Sequence, residues 1–129
     1  MDIVALDTNI AVDVLNGKSA VIELLQQFES ICLPVTVSGE LLFGAKNSAN
    51  RARNEPRYQA FITSCVLLDI NALVADTYAE VRLQLKQAGR PIPENDIWIA
   101  ALCITYDVPL VSRDQHFEYV TGLQLQRLA

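Results

Sequence analysis

The chain has 129 residues, a formal net charge of −5, 51% hydrophobic and 19% charged residues, enough to bury one core and too little for two. No stretch approaches the roughly 18 uncharged apolar residues of a membrane-spanning helix, and Asp2 and Asp7 bracket the short apolar run near the start, so we expect one soluble, unprocessed cytoplasmic domain over residues 1–129. Cys32, Cys65 and Cys103 stand far apart in apolar sequence and His116 is the only histidine, which argues against a disulfide framework and a multi-histidine or Cys-x-x-Cys zinc site, leaving oxygen ligands for any metal.

Residues 2–6 form an apolar run that predicts a strand ending at Asp7-Thr8-Asn9, where Thr8 or Asn9 can cap a helix to about residue 15. Asn16-Gly17 stops it. Val21, Leu24, Leu25 and Phe28 repeat at helical spacing and predict a helix over Ser19–Glu29, followed by a strand over Ile31–Val37. A helix from Ser38 carries Glu40, and after the polar break at residues 47–50 another covers 54–64. Val66-Leu67-Leu68 reads as strand. Asn71 can cap a long amphipathic helix to about Ala88, with Leu73, Tyr78, Val81 and Leu85 facing inward and Gly89 ending it.

Pro91 and Pro93 constrain the next loop. Residues 95–105 are nearly all apolar after Asp96 and predict a helix buried on most sides. Leu110-Val111 reads as strand, residues 114–119 as a short helix and residues 123–126 as a terminal strand. Alternation of short strands and helices predicts an α/β sandwich around a mainly parallel sheet.

In such sheets ligands gather beyond the carboxyl ends of the strands. Asp7 ends the first strand, Asp114 follows Leu110-Val111, Asp96 opens the buried helix and Glu40 sits early in its own helix. Each alone is equally well explained as a cap or turn residue, and Asp69, Asp76, Glu80, Glu118 and Asp107 are read only that way. Together the four carboxylates suit a hard cation such as Mg²⁺ or Mn²⁺, which activates water and stabilises phosphoryl charge, the chemistry of phosphodiester hydrolysis.

Four segments carry a family resemblance: Val4-Ala5-Leu6-Asp7-Thr8-Asn9, Ser38-Gly39-Glu40-Leu41-Leu42-Phe43-Gly44-Ala45, Asn95-Asp96-Ile97-Trp98-Ile99-Ala100-Ala101 and Ser112-Arg113-Asp114-Gln115-His116-Phe117. In this order along the whole chain they resemble the PIN domain, especially the VapC toxins of toxin-antitoxin pairs. The resemblance implies a PIN-like α/β/α fold with a short central sheet and a Mg²⁺- or Mn²⁺-dependent endoribonuclease with Asp7, Glu40, Asp96 and Asp114 as its acidic site. It implies support from the Thr8 and Ser112 hydroxyls, with Asn9 shaping the first turn. The family often has Thr where Ser112 stands, and the hydroxyl is kept. A homodimer and a cognate antitoxin are implied as well, and an apolar groove for that partner could be lined by Leu15, Val21, Leu25, Leu42 and Phe43, which are equally readable as core.

The negative net charge stands against an RNA partner, because phosphate affinity comes from clustered Lys and Arg. Part of that charge belongs to the candidate metal site, and Lys46, Arg51, Arg53 and Arg57 form a basic stretch broken only by Glu55. Arg51, Arg53, Arg57 and Arg113 are the candidates for contacting RNA phosphates, against a plain solvated face for the first three. The rival readings are a PIN-like RNA- or protein-binding module without catalysis and an aspartate-dependent phosphatase. Against the phosphatase stand the missing Asp-x-Asp pair at Asp7 and the absence of lysine near residues 110–116.

Overall fold

A computed structural model describes residues 2–128. Five strands, β1 (Ile3–Leu6), β2 (Ser30–Pro34), β3 (Val66–Leu68), β4 (Leu110–Ser112) and β5 (Leu125–Arg127), form one sheet in the order β3-β2-β1-β4-β5. All four neighbouring pairs are parallel. The helices are α1 (Thr8–Leu15), α2 (Ser19–Leu25), α3 (Val35–Lys46), α4 (Arg51–Ser64), α5 (Ala72–Gln87) and α6 (Glu94–Thr105), with a 3₁₀ turn at Gln115–Tyr119. This is the expected α/β architecture. None of the described helices is long and apolar enough to cross a membrane.

The order of the strands positions everything that follows. From β1 the chain builds outward through β2 to β3, then returns to add β4 and β5 on the other side of β1. The connections leaving β1 and β4 diverge, which opens a crevice beyond their carboxyl ends. Asp7 and Asp114 lie at that crevice. Val4, Ala5, Leu6, Leu110 and Val111 are fully buried beneath it, the continuous apolar character of parallel strands covered on both faces. Helix α6 contributes Ile97, Ile99, Ala100, Ala101, Leu102 and Cys103 to the same core.

Several local expectations are corrected. The cap of α1 is Asp7 itself, not Thr8 or Asn9: its Oδ1 accepts from the Ile10 N–H at 3.0 Å. Helix α2 ends at Leu25 rather than Glu29, because the Glu29 N–H donates to the Asp2 carbonyl at 2.8 Å and the chain is already entering β2. The run Val35-Thr36-Val37 is helical, not extended. Sheet pairing stops at Pro34 opposite Leu68, and β3 offers no further partner, so tertiary context overrides β-propensity and Val37 is buried as a helical residue. Helix α4 starts at Arg51 rather than residue 54 and includes Pro56.

Helix α5 keeps its predicted cap, the Val74 N–H donating to Asn71 Oδ1 at 3.0 Å. Its inner stripe is Val74, Val81 and Leu85, whereas Leu73 is 64% exposed. Tyr78 is half-buried and stacks on Trp98 at 3.9 Å between ring centroids. Asn71→Ala should cost about 1 kcal/mol, read as a lower urea midpoint at unchanged m value. All three cysteines are free, and burial pushes their thiols up, away from the reactive thiolate.

Candidate active site

The N-terminus of α1 begins where β1 ends, and this places the first acid. Asp7 is 5% exposed. Its Oδ1 caps α1 and its Oδ2 accepts from the Ser112 hydroxyl at the end of β4. Ser112 Oγ in turn accepts the Asp114 N–H at 2.9 Å. One buried hydroxyl thus ties the two neighbouring strand ends together across 105 residues of sequence. Burial pushes the Asp7 carboxyl above its ordinary value, opposed by the Ser112 hydroxyl and the Ile10 N–H, with Asp114 adding to the rise.

Asp96 enters from the first turn of α6 and Asp114 from the cap of the 3₁₀ turn, where its Oδ1 accepts the His116 N–H at 2.9 Å. Desolvation, then repulsion from Asp114, raises Asp96 to about 6, opposed by the His116 imidazole. Glu40 comes from α3 and is more exposed; Oε1 accepts from Thr8 Oγ1 at 2.9 Å and from Asn95 Nδ2. Asp7, Glu40, Asp96 and Asp114 all line one depression of about 230 Å³, together with Thr8, Asn9, Pro93 and Asn95. The fold therefore brings the four sequence-predicted acids together.

Thr8 and Ser112 each bond a different acid. Asn9 is exposed and lines the depression rather than capping the helix. Three residues were missed by reading the sequence. Asn95 holds Glu40, and its only signal is its place before Asp96. His116 Nδ1 lies 3.0 Å from Asp114 Oδ1 and 3.4 Å from Asp96 Oδ2. Asp13 pairs with Arg113 at 2.5 Å, and both line a second depression of about 430 Å³ that shares Asp7, Asn9 and Asp114 with the first. The i+6 relation of Asp13 to Asp7 carried no warning of that contact.

The basic candidates do not behave as a group. Arg51 and Lys46 both pair with Glu55, whose carboxyl they hold below its usual range, Lys46 most strongly. Arg57 donates to the Leu15 carbonyl at 2.6 Å, at the end of α1 opposite Asp7. An eight-residue helix is about 12 Å long, so Arg57 stands roughly that far from the acids. Arg53 is exposed and makes no ion pair among the described residues. Arg113 alone of the four lines the acidic crevice. The suggested apolar groove also divides: Val21 is 1% exposed and belongs to the core, Leu15, Leu25 and Leu42 are half-buried, and Phe43 is 68% exposed.

Chemically, the depression presents carboxylate, hydroxyl and amide oxygens, a donor set suited to a hard divalent cation. Among the described residues no lysine lines this depression to balance the phosphoryl charge of an aspartyl-phosphate.

Comparison with known proteins agrees with this geometry. A family model described as PIN domain matches residues 4–123. Ribonuclease VapC2 of Rickettsia felis is 30% identical over 126 residues, spanning 94% of this chain and 94% of the relative. The tRNA(fMet)-specific endonuclease VapC of Shigella flexneri is 28% identical with the same coverage. The crystal structure of VapBC2 from Rickettsia felis, bound to a DNA fragment from its promoter, superposes with a TM-score of 0.89 at 28% identity, covering 98% of this chain and 99% of that one. With its five parallel strands, its flanking helices and its acidic crevice, the chain belongs to the PIN domain family, among the VapC-type ribonucleases.

Proposed function

We propose that this chain is an endoribonuclease that depends on Mg²⁺ or Mn²⁺, with Asp7 and Asp96 as the most direct ligands and Glu40 and Asp114 completing the shell directly or through water. The observation that carries the reading is the convergence of these four carboxylates on one depression at the crevice between β1 and β4. A bound ion would activate water for attack and stabilise charge on the scissile phosphoryl group. The chain's own groups prepare that site. Ser112 and the Ile10 N–H orient Asp7, Thr8 and Asn95 orient Glu40, and the His116 N–H orients Asp114. Arg113, held by Asp13 on the crevice wall, positions an RNA phosphate beside the acids. A guanidinium matches phosphate geometry and offsets the local negative charge.

Purified protein should lose RNA cleavage in EDTA and regain it with Mg²⁺ or Mn²⁺. Cleavage that persists after complete chelation would sink this reading. Of the basic candidates, Arg113→Ala should reduce both RNA affinity and the slope of log affinity against log salt, while Arg57→Ala should leave the slope unchanged. Binding titrations at several salt concentrations separate the two.

The partner side of the proposal is a homodimer restrained by a cognate antitoxin. The support is that solved relatives of this fold are toxin-antitoxin complexes, and that Phe43 on α3 leaves a large apolar side chain exposed, next to half-buried Leu42.

A further inference from the structure

His116 stands among the acids without a task in the scheme above. It is the only histidine in the sequence, and it sits two residues after Asp114 on the 3₁₀ turn. The bond from its own backbone N–H to Asp114 Oδ1 ties the turn tightly enough to bring the imidazole back over the carboxylates. Nδ1 is shielded from solvent although the side chain as a whole is 45% exposed. It lies within ion-pairing reach of two carboxylates, 3.0 Å from Asp114 Oδ1 and 3.4 Å from Asp96 Oδ2, yet neither oxygen is aligned for a hydrogen bond.

A buried ring nitrogen aimed between two carboxylates without an aligned acceptor is arranged to share a third body with them. Ligand atoms of Asp96, Asp114 and His116 all lie within 4.8 Å of one another. Two ligands at right angles about 2.1 Å from an octahedral ion are about 3.0 Å apart. The two nitrogen-to-oxygen separations are close to that spacing.

We propose that His116 Nδ1 is a ligand of the divalent ion, beside Asp96 and Asp114, and that this nitrogen tilts the site toward Mn²⁺ over Mg²⁺. The inference rests on the metal-dependent reading above. Coordination uses the Nδ1 lone pair, so the ring proton resides on Nε2. Mg²⁺ is held almost entirely by oxygen and gives up water reluctantly, whereas transition ions accept imidazole readily. An all-oxygen shell would lack this discrimination.

The test uses untagged full-length protein loaded with Mn²⁺ and pulsed EPR of the bound ion. With one histidine in the chain, any imidazole nitrogen coupling belongs to His116. The expected result is a nitrogen coupling that changes when the protein carries ring-¹⁵N histidine, without any substitution, and that disappears in His116→Phe. Calorimetric titration of His116→Phe should show Mn²⁺ affinity reduced by at least about tenfold, with Mg²⁺ affinity changed far less. If Mn²⁺ binds the wild-type protein and is lost in Asp96→Asn, but the spectrum carries no imidazole nitrogen, the histidine ligand is wrong and the metal site stands. If Mn²⁺ does not bind the wild-type protein, the metal-dependent reading fails and this inference with it.

Discussion

Asp96→Asn should lower RNA cleavage by about a thousandfold, the upper end for losing one electrostatic stabiliser, and at the same time raise the melting temperature of the metal-free protein. The two effects have one cause. Asp96 is desolvated at the start of α6 and faces Asp114, and these together raise its carboxyl from 3.8 to about 6. A carboxyl with a raised folded-state value binds its proton more tightly in the folded chain than in the unfolded one. Its stabilising effect is therefore full below about pH 4 and is lost as pH climbs toward 6. Above that window the metal-free fold carries a desolvated charge beside another charge.

Asparagine keeps the size of the side chain and removes that charge. In EDTA the wild-type melting temperature should fall between pH 4 and 6 relative to the variant's, and the variant should be the more stable at pH 7. Added Mn²⁺ should reverse the order, because the ion binds the ionised carboxylates of the wild type and stabilises only what it binds. Melting curves at five or six pH values, with and without ion, are sufficient. Parallel wild-type and variant profiles in EDTA would mean that Asp96 ionises like an exposed carboxylate.

The second large effect is expected at Ser112, a residue that touches no substrate in this scheme. It is fully buried, and its hydroxyl donates to Asp7 while accepting from the Asp114 backbone. Ser112→Ala leaves the buried Asp7 oxygen without its partner, at about 1–3 kcal/mol, and frees the half-buried Asp114 N–H. Loss of the hydroxyl also removes the strongest influence holding the Asp7 carboxyl down, so it should rise further. Cleavage should fall, and the acid limb of its pH profile should move to higher pH. Ser112→Thr keeps the hydroxyl and should retain the wild-type pH profile. An Ala variant with an unshifted profile would show that Ser112 does not set the state of Asp7.

Charge of the whole molecule is a weak guide to its partner here. The net value of −5 includes four acids gathered in one crevice, and the basic stretch near Arg51 is partly neutralised by Glu55. What a phosphate meets beside the acids is Arg113, whose guanidinium is oriented from α1 by Asp13. A count of lysines and arginines along the sequence does not distinguish Arg113 from Arg57, which points at a backbone carbonyl at the far end of the same helix.

The sequence by itself determined the alternation of elements, the buried character of α6, the Asn71 cap and the identity of the four acids. These are legible because they depend on local periodicity, on side chains that bond their own backbone, and on short motifs whose order survives in the chain. Only the tertiary structure decided that Val35-Thr36-Val37 is helical, since the limit of β2 is set by the length of its neighbour β3. It also decided that Asp7 is both helix cap and crevice wall, that Leu73 faces out while Val74 faces in, and that Asp13 and Asn95 serve as props. The place of His116 belongs with these. Its ring reaches Asp96 only because β4 lies next to β1 and the 3₁₀ turn folds back over α6, a contact between side chains 20 positions apart that no local pattern encodes.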